Sequence, residues 1–171
     1  KKFILSSTTK IAMAESKTPE TKKVELPNGE TIAYFEQGDK SNKPFIFLHG
    51  NNASKNSYID FFPIFSKKYY CIAPDMRGFG DSSYNKSWDT IDEIADDLHL
   101  FVEKLGLKDF ILWGWSLGGA FASCFAVKYP EKLSHLILHC ACPIVGYSIY
   151  AIEDGKPNLE KRVTKREDLK Q

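Results

Sequence analysis

No apolar run among the 171 residues approaches the roughly 18 to 20 needed to cross a bilayer as a helix, so a soluble chain is expected. Excess charge is lacking as well. Lys plus Arg (23) nearly cancels Asp plus Glu (22), which removes any electrostatic reason to expect nucleic acid, an anionic membrane surface or a polyanionic substrate. A small, largely neutral molecule is the expected partner. Cysteine is sparse: Cys71, Cys124, Cys140 and Cys142 fall in expected strands, a helix and a strand end, not at disulfide-framework spacing. Reduced thiols in the cytoplasm fit that pattern. Cys140 and Cys142 form a C-x-C pair, but no second Cys/His pair stands at finger-like spacing, and no metal is expected. Internal repeats and low-complexity tracts are also missing.

The first twelve residues hold three Lys, four Ser/Thr and no acid, the composition of a transit-peptide remnant, which would imply organellar import. Against that, Met13 reads as a natural start, with residues 1–22 a disordered N-terminal extension. The whole chain is 43% hydrophobic and 13% aromatic, enough to bury the core of one domain. Lys23 to Leu26 and Thr31 to Gln37, separated by Pro27, Asn28, Gly29 and Glu30, read as a β-hairpin. Unbroken apolar runs follow at Phe45 to Leu48, Tyr69 to Ala73, Ile111 to Trp113 and Leu136 to Leu138, as suits central strands covered on both faces.

Helices fall between these runs. From Ile91 to Leu105 the apolar residues Ile91, Ile94, Ala95, Leu98, Phe101, Val102 and Leu105 step by three or four, with a Thr90/Glu93 capping box and a Gly106 stop. Leu117 to Lys128, ended by Pro130, is helical, and its Gly118, Gly119, Ala120 and Ala122 permit close packing. A weaker helix, broken by Pro63, is expected over Ser57 to Ser66. Alternation of strand and helix after an antiparallel start predicts an α/β fold, a mostly parallel sheet flanked by helices with right-handed crossovers. Ligands in such folds sit beyond the carboxyl ends of the strands. His49 and Gly50, Asp75 to Ser83, Ser116, and His139 to Pro143 all fall there.

Gly114-Trp115-Ser116-Leu117-Gly118-Gly119 is a nucleophile elbow. A strand that turns at once into a helix holds its serine at strained, positive φ, and leaves no space for side chains two positions away on either side. Gly114 and Gly118 occupy those positions. Together with His49-Gly50-Asn51-Asn52 and Asp75-Met76-Arg77-Gly78-Phe79-Gly80-Asp81-Ser82, each after a strand, the elbow gives three blocks in order. In them the chain resembles the α/β-hydrolase superfamily, specifically its Ser-nucleophile, cap-bearing branch (the fold-1 type), over roughly Val24 to Val145.

The resemblance implies that Ser116 is the nucleophile and that the backbone amides of Asn51 and Leu117 form the oxyanion hole. Leu117 also begins a helix, whose free N–H groups and dipole favour an oxyanion beside Ser116. His49 is expected to shape the oxyanion loop. Among the other histidines, His99 lies on a helix and His135 in the turn before a strand; only His139, at a strand's carboxyl end, faces the site. Trp115 and His139 are the expected substrate-binding residues. Asp75 and Arg77 are expected to hold their loop by charge-assisted hydrogen bonds, and Asp81 and Ser82 to be turn and cap residues.

The activity implied is hydrolysis of a small carboxylic ester, thioester or lactone through an acyl-enzyme, with no cofactor. Serine at 116, where relatives that displace halide or open epoxides place aspartate, disfavours those chemistries. The loop after Gly50 lacks the Gly-Pro-Gly run of proline iminopeptidases. Carbon–carbon bond hydrolases of ring-cleavage products and intracellular polyhydroxybutyrate depolymerases stay open, as does a non-catalytic binding module. Residues 23–143 are read as the N-terminal part of the core and 144–171 as the start of a cap or lid. Within that start, Gly146, Tyr147, Ile149 and Tyr150 are expected at a pocket mouth, and a helix is expected from Thr164. The family's acid and histidine, which follow the serine in chain order, are not found, so the chain reads as a fragment with an incomplete triad. Leu136 to Leu138 is then expected as an unpaired apolar edge.

Overall fold

The computed structural model describes residues 18–143 and the backbone of 150–153 and 156–162. Six strands form one sheet in the order β1-β2-β4-β3-β5-β6: β1 (Lys22–Glu25), β2 (Thr31–Gln37), β3 (Pro44–Leu48), β4 (Tyr70–Pro74), β5 (Phe110–Trp115) and β6 (Leu133–His139). β1, β2 and β4 pair antiparallel, while β4, β3, β5 and β6 run parallel. This is the sheet expected from the sequence. The β1–β2 turn closes through Leu26 N–H to Glu30 O (2.7 Å) and Gly29 N–H to Leu26 O (3.0 Å), with Gly29 at φ 88°.

Two faces of the sheet bury different partners because strand side chains alternate. Ile32, Tyr34, Ile46, Leu48, Ile72 and Leu112 meet the helices α2 (Ile91–Lys104) and α3 (Leu117–Lys128). α2 turns Ile94, Ala95, Leu98, Phe101 and Val102 inward, as the spacing requires. Its start is capped by Glu93, whose carboxylate accepts from the backbone N–H of Asp89 (3.0 Å) and Thr90 (3.3 Å). The chain leaves α2 through Gly106 at φ 66°. On the other face Phe35, Phe45, Phe47 and Ile111 pack against Tyr58 and Phe62.

The segment from Ser57 to Ser66 corrects the sequence expectation. It is not one helix broken at Pro63 but a 3₁₀ turn, Lys55–Tyr58, followed by a single α turn, α1 (Phe62–Phe65), that Pro63 opens. Proline is tolerated in a first helical turn, where its missing N–H has no intrahelical partner to lose. His135 is also reassigned. β6 starts at Leu133, so His135 lies within the strand, opposite Ile111, rather than in a preceding turn. Among the described residues β6 stands at the edge of the sheet, with Leu136, Ile137 and Leu138 all more than a third exposed.

Within the segment expected as the start of a cap, β7 (Tyr150–Glu153) and β8 (Lys156–Arg162) form an antiparallel hairpin. Of the extension expected over residues 1–22, residues 1–17 lie outside the described residues, as do the pocket-mouth residues Gly146, Tyr147 and Ile149 and the helix from Thr164, while Lys22 is already paired in β1. Among those described, no helix is long and apolar enough to cross a membrane.

Candidate active site

Ser116 stands where β5 passes directly into α3, at φ 53° and ψ −118°. A non-glycine residue in this region carries about 1 to 3 kcal/mol of backbone strain, sustained only by surroundings that over-determine it. Those surroundings are visible. The Ser116 N–H donates to His139 O (3.1 Å), and Ser116 O accepts from Gly119 N–H (2.9 Å) and Cys142 N–H (2.9 Å). The end of β6 and the turn after it therefore grip the serine backbone on both sides.

The glycines supply the closeness the turn needs. A Cβ on Gly114 would lie 2.6 Å from Gly119 Cα and 2.7 Å from Gly118 C; one on Gly118 would lie 2.5 Å from His49 O and 2.7 Å from Leu48 C. All of these are backbone atoms, which have no rotamer to escape into. Gly119 has the same relation to Ala141, whose Cα a Cβ would approach to 2.7 Å.

α3 points its N-terminus at Ser116, and Leu117 N–H belongs to the first-turn amides that a helix cannot satisfy internally. The opposite wall is the loop after β3. At Gly50 a Cβ would lie 3.2 Å from both Ser116 Cβ and the Trp115 ring, so this backbone passes directly against the serine. Asn51 follows, and then Asn52 at φ 51°.

His49 is fully buried, and both ring nitrogens are engaged. Nε2 accepts from Met76 N–H (3.2 Å), which leaves Nδ1 as the protonated nitrogen donating to Gly50 O (2.9 Å). Burial holds the imidazole below its ordinary pKa, against the pull of the Gly50 carbonyl and Asp75. The ring is thus a neutral brace of the loop, as expected from its position. His99 stacks on Tyr129 at 4.0 Å on the helical layer, remote from the serine, and His135 is exposed on β6.

His139 lies at the carboxyl end of β6, with its ring 5.7 Å from Trp113. Trp115 and His139 line one cavity of about 240 Å³, with Ser57, Tyr58, Phe61 and Trp113 as its other walls. The two expected substrate-binding residues are therefore brought together, on the aromatic face of the sheet. Ser116 Oγ itself lies 3.8 Å from Cys142 Sγ, and among the described residues no imidazole or carboxylate is hydrogen-bonded to it. The sequence placed Cys140 and Cys142 at a strand end, yet both lie past β6. Cys140 is at φ 47°, and all four cysteines are free. Among the described residues no group of three or more potential ligands could hold a metal.

Two charged clusters behind the loops were not foreseen as clusters. Asp75 is fully buried and accepts from Lys55 N–H (2.6 Å), Lys55 Nζ (2.8 Å) and Asp81 N–H (2.9 Å). Lys55 Nζ also reaches Asp81 Oδ2 at 2.5 Å, so Asp81 is an ion-pair partner and not merely a turn residue. Ser82 Oγ donates to Asp75 O (2.6 Å) and accepts from Ala33 N–H (2.8 Å), tying the loop to β2. Arg77 meets Asp97 of α2 through Nε (2.6 Å) and NH2 (2.9 Å), and Asn28 donates to the same carboxylate (2.7 Å). Asp75 and Arg77 thus hold their loop by charge-assisted hydrogen bonds, as the sequence suggested.

With this geometry the comparisons agree. Residues 43–161 match the family model for the alpha/beta hydrolase fold. A proline iminopeptidase of the fungus Pestalotiopsis fici is 33% identical over 142 residues, which are 81% of this chain and 49% of that protein. Lipase 1 of Psychrobacter immobilis is 32% identical over 121 residues, 70% of this chain and 38% of the lipase. Among solved structures, a bacterial membrane phospholipase A superposes with a TM-score of 0.67 at 30% identity over 71% of this chain and 39% of its own. An epoxide hydrolase from hot-environment metagenomes superposes at 0.68 and 31%, over 74% and 44%. The chain spans about half or less of the length of these curated relatives. A strained serine between strand and helix, a glycine-tight loop against it and a family match across most of the sheet have one common meaning: the chain belongs to the alpha/beta hydrolase fold family, a family of hydrolases.

Proposed function

We propose that the protein is a serine hydrolase acting on a small carboxylic ester, thioester or lactone by way of an acyl-enzyme. Ser116 Oγ attacks the carbonyl carbon, and the amides of Asn51 and Leu117 receive the developing oxyanion. A general base takes the Ser116 proton and gives it to the departing alcohol or thiol as the ester C–O or thioester C–S bond breaks; water, giving its proton to the same base, then attacks the acyl-enzyme and frees the acid and Ser116. The observation that carries this reading is the backbone of Ser116, held at φ 53° between the N-terminus of α3 and the Gly50 loop. A strained residue held at a helix N-terminus supports a nucleophilic role for its Oγ.

An ester is favoured over the other substrates of the family by two features. The elbow carries serine, whereas epoxide opening and halide displacement use a carboxylate there. The cavity beside Trp115 and His139 has walls that are almost wholly apolar, suited to an acyl or alcohol group without charge. Lipase 1 and the phospholipase are relatives whose names carry ester chemistry. The proline iminopeptidase relative is matched over 142 residues, but the residues after Gly50 here are Asn51, Asn52 and Ala53, not a Gly-Pro-Gly run. A panel of p-nitrophenyl esters of increasing acyl length tests the reading. Turnover that disappears in Ser116→Ala is expected, and turnover that persists in that variant overturns it.

A further inference from the structure

Lys55 is the one charged side chain in the oxyanion loop region that is almost completely buried, at 1% exposure. Its ammonium lies over the Phe35 ring (4.9 Å from Nζ to the centroid) and is clamped between Asp75 and Asp81. A pair of apolar side chains in place of both Lys55 and Asp75 would avoid the cost of dehydrating an ammonium and a carboxylate, so stability alone does not account for the arrangement.

Where the clamp lies gives it a purpose. Asn51 sits between two anchors, His49 two residues before it and Lys55 four residues after it. Both anchors are fastened to the same segment, Asp75 to Asp81: His49 through Met76 N–H and the Phe79 ring (5.1 Å), Lys55 through Asp75 and Asp81. That segment is itself shaped around the clamp. Gly80 stands at φ 53°, and a Cβ there would run into the Asp75 carboxylate. Between the anchors the loop carries positive φ at Asn52 and passes close to Ser116 at Gly50, where a methyl group on the glycine would stand 3.2 Å from Ser116 Cβ.

We propose that Lys55, through Asp75 and Asp81, is a positioning residue that sets the height of the Asn51 amide above Ser116, and so acts on the oxyanion rather than on substrate binding. The proposal rests on the serine-hydrolase reading above. An amide displaced by about 1 Å costs up to about a hundredfold in rate. The loss should appear in kcat, with KM little changed, because the interaction is made in the transition state.

Two variants test this in the intact protein. Lys55→Met removes the ammonium. Asp81→Asn weakens the clamp from its more exposed end, where the side chain is 59% accessible, and leaves the buried Lys55–Asp75 contact in place. Lys22→Met, which breaks the remote ion pair with Glu36, is the control. Expected is a fall in kcat of about tenfold for Asp81→Asn and about a hundredfold for Lys55→Met, with KM within about twofold. The affinity for a trifluoromethyl ketone, which forms a tetrahedral adduct on the serine, should fall by the same factors. If Lys55→Met does not fold, Asp81→Asn alone decides. A merely structural role would lower the melting temperature and leave kcat and ketone affinity as in Lys22→Met, and that result overturns the proposal. A fluorophosphonate probe separates the two levels. If it fails to label the unaltered protein, the hydrolase reading falls and takes this proposal with it; if it labels the protein while the Asp81→Asn kinetics are unaltered, only the positioning role falls.

Discussion

Replacing Gly118 by alanine should damage the site without touching a catalytic atom. The added methyl would stand 2.5 Å from His49 O and 2.7 Å from Leu48 C, against the 3.4 Å at which ordinary contact begins, so a gap of roughly one ångström must open. Both obstacles are backbone at the end of β3, which is paired on each side with β4 and β5. The strand cannot give way alone. What moves is the junction of α3 with the β3 loop, the two segments that carry the Leu117 and Asn51 amides of the proposed oxyanion hole. Overpacking of this kind costs about 1 to 3 kcal/mol. For a chain of this size that lowers the melting temperature by roughly 3 to 10 °C. A displacement of about 1 Å at the oxyanion amides adds a loss of about a hundredfold in kcat. Calorimetry and ester turnover on the same preparation read both effects. A Gly118→Ala protein that melts within about 1 °C of the original and keeps kcat within about twofold would refute the packing argument.

Other consequences are equally direct. Ser116→Gly should raise stability relative to Ser116→Ala by about 1 kcal/mol, because glycine relieves the strain at φ 53° while alanine keeps it; urea titration of the pair measures the difference. Asp97→Ala leaves the buried Arg77 guanidinium without its partner and should cost about 3 to 5 kcal/mol, read as a shift of the urea midpoint. Burial alone would lower the Lys55 pKa, but its hydrogen bonds and charge pairing with Asp75 and Asp81 outweigh that and hold it above the ordinary 10.5. Stability from a group raised in the folded state is complete below its unfolded pKa and is lost as pH climbs through the folded value. The protein should therefore lose stability in the alkaline range above pH 10.5, and Lys55→Met should lack that part of the decline, as followed by urea midpoints across the range.

The features legible in the sequence are those written locally. The unbroken apolar run Phe45-Ile46-Phe47-Leu48, three-and-four spacing in α2 and glycines two places either side of Ser116 each describe a geometry that neighbouring residues impose by themselves. The Ser57 to Ser66 segment misled for a related reason. Tyr58, Phe61, Phe62 and Phe65 have helical spacing, but Pro63 limits the α-helical part to the turn it opens. Lys55 was invisible because its partners stand 20 and 26 residues away, in a block whose own motif explained Asp75 and Asp81 without it. Asp97 was hidden in the same manner: a carboxylate on the inner face of an amphipathic helix looks like an interruption until Arg77 is seen opposite it. The approach of Cys142 to Ser116 depends on the turn after β6, where Cys140 adopts positive φ without the glycine that would have announced it.

The central claim is that Ser116 is a nucleophile held ready by its backbone. Treating the protein with a fluorophosphonate and identifying the modified peptide by mass spectrometry tests it most directly. The account predicts a single phosphonylated residue, Ser116, and no labelling after heat denaturation or in Ser116→Ala. Labelling at another serine, or an unmodified Ser116 in the folded protein, would contradict it.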